Sequence, residues 1–208
     1  MAVSITPAES GLSKVAVLGA GLVGTRVVRE LAVGGVRPLT LVTRRQQRVA
    51  ELRPVAGRNT RIVFEADFAS AIDSLDDSTC TVILASEPGG QSELATKCLQ
   101  RGFHVITCLD EPNVTSELLS LNSLAEANDR RLVVGSAFSP GLTCLLAKWA
   151  TRHLERVTEI HLATVGAGGP ECARQRLRAA RGTTMEWRDG SWVPAGSMSP
   201  YTTPPAPC

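Results

Sequence analysis

The stretch Lys14 to Arg29, KVAVLGAGLVGTRVVR, constrains this chain more than any other. A short apolar run, Val15-Ala16-Val17-Leu18, stops at Gly19. Gly19, Gly21 and Gly24 follow at the G-x-G-x-x-G spacing, with Ala20, Leu22 and Val23 between them, and helix-forming residues continue through Leu31. Strand, tight turn and helix in this order make a dinucleotide-binding fingerprint. Gly19 permits the turn, Gly21 lets backbone approach a pyrophosphate, and Gly24 lets helix and strand pack closely. The free N–H groups and positive dipole end of the helix suit phosphate oxygens. A glycine-rich turn that binds nothing is the plain alternative.

The texture downstream repeats. Apolar runs at Leu39–Thr43, Arg61–Glu65, Thr79–Ala85, Phe103–Cys108 and Arg131–Gly135 read as five further strands. Helical stretches separate them: Asp67–Leu75, Ser92–Arg101 and Thr115–Asn128. Alternating strand and helix predicts an α/β fold, a doubly wound parallel Rossmann sheet with helices on both faces. A helix over Cys144–His153, with Leu145, Leu146 and Trp149 on its apolar face, closes this part. Beyond it lie a candidate strand (Val157–Val165), a basic helix (Glu171–Arg181) and a hairpin around Asp189-Gly190. The expected organisation is a flexible leader over 1–13, an NAD(P)-binding domain over 14–153, a short, incomplete α+β second region over 154–193, and a proline-rich tail over 194–208.

The end of the second strand speaks to the cofactor. An NAD-preferring site carries an acidic residue about 20 residues beyond the glycines, bonded to the ribose 2′-hydroxyl. Here Thr43-Arg44-Arg45 stands there, with no acid. Two guanidiniums and a hydroxyl suit a 2′-phosphate, so NADP is expected over NAD. The bland alternative makes Arg44, Arg45 and Arg48 a solvated helix face.

In doubly wound sheets ligands sit at the carboxyl ends of the strands. Ser86, Glu87, Cys108, Asp110 and Ser139 fall there and are candidates to face the nicotinamide. Asp110 is a candidate acid/base, with capping of the next helix as its alternative. Cys108 is a candidate reactive thiol, with packing as its alternative. His161 is a candidate proton-transfer residue in the second region, with a satisfied structural histidine as its alternative. His104, near the start of a buried strand, reads as structural.

Composition limits the remaining classes. The chain has 208 residues, 43% hydrophobic and 20% charged, with net charge +2. That balance points to neither nucleic acid nor an anionic membrane as partner. No apolar run reaches about 18 residues, and the N-terminus lacks a basic, then apolar, secretory pattern. Its six cysteines include no C-x-x-C pair, so no metal or disulfide framework is expected. A cytoplasmic protein acting on a small molecule fits these features. The sheet edge left by a reduced second region suits a homodimer.

Four places together resemble the saccharopine dehydrogenase-like oxidoreductases. They are VAVLGAGLVG at 15–24, Ala85-Ser86, GFHVITCLDEP at 102–112 and GSAFSPGLTCLLA at 135–147. The resemblance covers residues 14–165 and implies an NADP-dependent oxidoreductase. It implies hydride transfer to or from an amino or imino acid or a related small carbonyl substrate. In that family a second, substrate-binding domain follows; about 40 residues remain here before the tail, short for an independent domain. The chain therefore reads as a shortened member, and a non-catalytic NADP-binding or sensor protein is the alternative. Two rivals fit less well. Sugar-oxidoreductase-like Rossmann proteins carry Glu-Lys-Pro where Asp110-Glu111-Pro112 stands, and short-chain dehydrogenases need Tyr-x-x-x-Lys, whereas the lone Tyr201 has no such lysine.

Overall fold

The computed structural model describes residues 14–87, 89–109, 111–138, 141–158, 160, 169–170, 172–174, 177, 184–188 and 191–195. The chain divides into two compact units, Met1–Ile160 and His161–Cys208.

The first unit alternates strand and helix. Its elements are β1 (Lys14–Leu18), α1 (Leu22–Val33), β2 (Leu39–Thr43), α2 (Arg48–Ala56), β3 (Thr60–Phe64), α3 (Phe68–Asp73) and β4 (Thr79–Leu84). Then come α4 (Gln91–Gln100), β5 (His104–Thr107), α5 (Pro112–Ser120), α6 (Asn122–Ala127), β6 (Leu132–Val133) and α7 (Leu142–Thr151). Every strand pairing is parallel, and the order is β3-β2-β1-β4-β5-β6. This is the order of a Rossmann sheet, with β1 and β4 at its switch point.

The period-2 alternation of each strand sorts its side chains between two cores. Ala16, Leu18, Val42, Val82, Leu84 and Val105 turn to one face, against Phe68, Ile72, Ala95, Leu99 and Leu118 of the helices. Val17, Leu39, Leu41 and Ile83 turn to the other, against Val28, Leu52 and Ala56. Each fully buried Leu, Val, Ile or Phe contributes about 1.5–3 kcal/mol relative to exposure. Runs apolar on both faces could be satisfied only by helices on both sides.

Two elements differ from the sequence reading. The single helix expected over Thr115–Asn128 is broken at Leu121, whose ψ is 4° and whose N–H donates to Leu118 O. The flanking polar side chains bond locally: Ser120 Oγ donates to Glu117 O and Asn122 Nδ2 to Glu126 Oε1. The Ser120 bond competes with the helical ladder, because Glu117 O is the acceptor that Leu121 N–H would use in a continuous helix. Val157, Thr158 and Ile160 are not in a strand, and the rest of the strand expected over Val157–Val165 lies outside the described residues. Leu145, Leu146 and Trp149 on α7 are exposed.

In the second unit, Pro170, Cys172–Arg174 and Leu177 are helical. β7 (Thr184–Arg188) and β8 (Ser191–Ala195) pair antiparallel, with Trp187 opposite Trp192. The turn residues Asp189 and Gly190 lie outside the described residues, as do the leader and residues 196–208.

Burial also sets a pH limit. Cys98, on α4 inside the first core, has no exposed surface, and desolvation pushes its thiol from 9.0 up to about 12. Above the unfolded value the unfolded chain loses this proton while the folded chain keeps it. Stability is therefore intact below pH 9 and declines as pH rises towards 12. Melting curves between about pH 8 and 11 should fall more steeply for wild type than for Cys98→Ala. Equal slopes would refute this.

Candidate functional site

The carboxyl ends of the strands form one edge. Backbone bonds tie it together: Gly19 N–H donates to Val42 O, Ala85 N–H to Leu18 O, Cys108 N–H to Leu84 O, and Ser136 N–H to Thr107 O. The glycine turn sits at the middle of this edge. Gly19 has φ +111°, and a Cβ there would lie 2.5 Å from Ala85 O. A Cβ at Gly24 would lie 1.8 Å from Gly19 O and 3.2 Å from Ala85 Cβ. Both glycines are required by contacts within the protein. They let the start of α1 rest on its own turn and on the end of β4.

Gly21 differs. Its φ of −76° and ψ of −165° are ordinary extended values, and a Cβ would meet nothing within 4 Å. Among the described residues no contact asks for glycine there, and Gly21 is exposed. The helix that begins beside it has no side-chain cap and no acidic residue in its first turn. Leu22 and Val23 at that start are 67% and 45% exposed. An open approach onto unblocked N–H groups at the positive end of a helix fits a pyrophosphate. Ala20 is buried beneath the turn and shapes it.

The end of β2 supplies the cations. Thr43 is 3% exposed, and its Oγ1 accepts a 3.2 Å hydrogen bond from Arg45 N–H. The hydroxyl thus forms the turn that presents the two arginines. Arg45 is exposed and, among the described residues, forms no ion pair. Arg48 lies 3.5 Å from Glu51 on its own helix. Arg44 packs over the Phe68 ring, 5.0 Å from its centroid, and its Nη2 lies 3.2 Å from Glu87 Oε2.

Arg44, Asp67, Phe68, Ser86, Glu87 and Leu94 line a cleft of about 280 Å3 at this edge. Asp67 caps α3, accepting from Ser70 N–H and Ser70 Oγ at 2.9 Å. Those bonds hold its carboxyl below the usual carboxylate range. Glu87, expected among the groups facing the nicotinamide, directs its carboxylate to Arg44. The structure therefore brings Gly19, Gly24 and Ser86 together at one turn, and Arg44, Ser86 and Glu87 in one cleft.

Sequence reasoning passed over Phe68 and Gln91. Gln91 opens α4 and is 1% exposed. Its Nε2 donates to Ser86 O at 2.9 Å, while Oε1 is buried without a hydrogen-bond partner among the described residues. This amide fixes the loop that follows β4. A polar side chain directly after Gly89-Gly90 was its one signal, and that signal resembles any exposed helix start.

Cys108 is half-buried and packs with the second core, and desolvation raises its thiol. A raised thiol carries little thiolate, which suits packing. His104 Nδ1 accepts from Arg131 N–H at 3.0 Å, tying β5 to the start of β6. Asp110, Ser139 and His161 lie outside the described residues. Among the described residues no helix is long and apolar enough to cross a membrane.

No protein-family model and no curated protein matches the chain. Solved structures share its fold. Saccharopine dehydrogenase (L-Glu forming) from Saccharomyces cerevisiae aligns with a TM-score of 0.57 at 18% identity, covering 68% of this chain and 31% of that one. Biliverdin reductase from Synechocystis sp. PCC 6803, in complex with biliverdin and NADP+, aligns with 0.52 at 19% identity, covering 69% and 43%. The WlbA dehydrogenase from Bordetella pertussis, in complex with NADH and UDP-GlcNAcA, aligns with 0.52 at 17% identity, covering 68% and 42%. The chain thus spans less than half the length of each. The shared feature is a Rossmann fold, and it extends to proteins of different substrates and of both cofactor types.

Proposed function

We propose that this chain binds NADP at the carboxyl edge of its sheet and serves as an oxidoreductase of the saccharopine dehydrogenase-like type. The observation that carries the cofactor is Gly21. It is an exposed glycine that no contact among the described residues requires, at the uncapped start of α1. The N–H groups of α1 would hold the pyrophosphate. Arg44 and Arg45 would meet the 2′-phosphate, with the adenine side of the cofactor near Phe68 and Leu94.

The bound cofactor supplies hydride transfer. The protein's part is placement: Gln91 holds Ser86, and the strand ends carry Ser86 and Cys108 to the edge where a substrate would meet the cofactor. Asp110 is the proposed proton-handling residue of the first unit, and His161 is a proposed proton-transfer residue of the second. The substrate class, an amino or imino acid or related carbonyl compound, rests on the residues of the 102–112 and 135–147 segments. The Asp110-Glu111-Pro112 run, without a lysine, favours it over a sugar substrate.

Calorimetric titration of the intact chain with NADPH and NADH tests the reading. NADPH should bind more tightly; equal or reversed affinities would overturn the role given to Arg44 and Arg45. A screen of amino, imino and keto acids following NADPH absorbance tests turnover. Tight NADPH binding with neither reduction of an imino or keto acid by NADPH nor oxidation of an amino acid by NADP+ would favour a cofactor-binding sensor instead.

A further inference from the structure

The pairing of Arg44 with Glu87 bears on how strongly the site discriminates between cofactors. Arg44 follows β2, and Glu87 follows β4. Nη2 and Oε2 are 3.2 Å apart, with the side chains 45% and 59% exposed. The guanidinium is steadied from another side by Phe68. Arg44 therefore already has an anionic partner from its own chain.

A ribose 2′-phosphate must use the same guanidinium. A phosphate monoester carries roughly −1.5 to −2 charges near neutral pH. On arrival it either displaces the Glu87 carboxylate or lies beside it as a like charge. Both cost free energy that an unphosphorylated ribose does not incur. The carboxylate can also accept hydrogen bonds from ribose hydroxyls. In NAD sites that task falls to an acid at the end of β2, a place held here by Thr43-Arg44-Arg45.

We infer that Glu87 is a specificity-determining residue, an internal competitor of the 2′-phosphate for Arg44 that moderates the preference for NADP. The inference rests on the dinucleotide reading above and deepens it. Asp67 and Glu93 share the cleft lining, but Asp67 is committed to its cap and neither has an ion pair with Arg44 among the described residues.

The test is titration of the intact wild type, Glu87→Gln, Arg44→Ala and the double variant with NADPH and with NADH. Glu87→Gln should tighten NADPH about three- to ten-fold, the scale of an exposed ion pair plus a relieved like charge. NADH should be unchanged or weaker. On the Arg44→Ala background the same substitution should give a smaller gain, because no guanidinium is released. A cofactor ratio unmoved by Glu87→Gln would overturn the inference, as would an equal shift for both cofactors or the full gain without Arg44. Glu87→Ala, which also removes the charge, must move the ratio in the same direction. A wild type that prefers NADH while Glu87→Gln still raises relative NADPH affinity would overturn the cofactor preference alone. A wild type that binds neither dinucleotide would overturn both.

Discussion

Gly24→Ala is expected to lose much of its stability, whereas Gly21→Ala is expected to fold normally and bind the dinucleotide more weakly. The two positions sit in one turn but meet opposite surroundings. A Cβ at Gly24 would lie 1.8 Å from Gly19 O, inside covalent-contact range, with rigid backbone as the obstacle. Relief requires moving α1 off β1 and β4, which opens the core around Val28. Overpacking of a tight site costs about 1–3 kcal/mol or more, against a total stability of about 5–15 kcal/mol. Circular dichroism with urea should show a large loss of stability or no cooperative transition.

At Gly21 the same methyl meets nothing within 4 Å, so stability should change by less than about 0.5 kcal/mol. The methyl would stand where a pyrophosphate approaches the N–H groups of α1. NADPH affinity should fall at least about ten-fold, or about 1.4 kcal/mol. Undiminished affinity in a well-folded Gly21→Ala would remove the pyrophosphate from this turn. A marked loss of stability there would show that the open space is filled by the protein itself.

Replacing both Arg44 and Arg45 with alanine should weaken NADPH about 30- to 100-fold and NADH by no more than about three-fold. Charge-assisted hydrogen bonds are worth about 1.5–3 kcal/mol each, and the exposure of both guanidiniums brings the pair below that, to about 2–2.7 kcal/mol together. The wild-type advantage of NADPH should also shrink as salt rises. Raising ionic strength should therefore narrow the gap between the two cofactors in wild type and leave the double variant nearly insensitive. Equal losses for both cofactors would mean that the arginines shape the cleft without recognising a phosphate.

How far the fold could be read in advance differs from element to element. β2 falls at Leu39–Thr43 as the apolar run predicts, and β1, β3 and β4 agree within a residue. Their runs are strongly β-branched and bounded by Gly, Pro or polar residues, so propensity and burial favour the same ends. The break at Leu121 could not be read, because helical periodicity continues across it. It coincides with Ser120 Oγ donating to Glu117 O, the acceptor that Leu121 N–H would use in a continuous helix.

The candidate site divides in the same way. Gly19 and Gly24 were recognisable from spacing, because the turn they make is local and its steric demand recurs wherever strand, turn and helix meet closely. Thr43 was placed correctly at the end of β2, but its hydroxyl forms the turn to Arg45. Glu87 stood where a strand-end carboxylate could face the nicotinamide, yet its carboxylate meets Arg44.

The order of local elements, the two faces of each strand and the glycine turn follow from the amino-acid sequence alone. They depend on neighbours within a few residues and on periods of two and 3.6. The partner of Arg44, the ring beneath it and the burial of Gln91 were decided only in three dimensions. Arg44 and Glu87 follow β2 and β4, Phe68 and Gln91 open α3 and α4, and Arg44, Phe68 and Glu87 are far apart along the chain. They meet because parallel pairing in the order β3-β2-β1-β4 brings the carboxyl ends of these strands to one edge, where charge and burial select which side chains join.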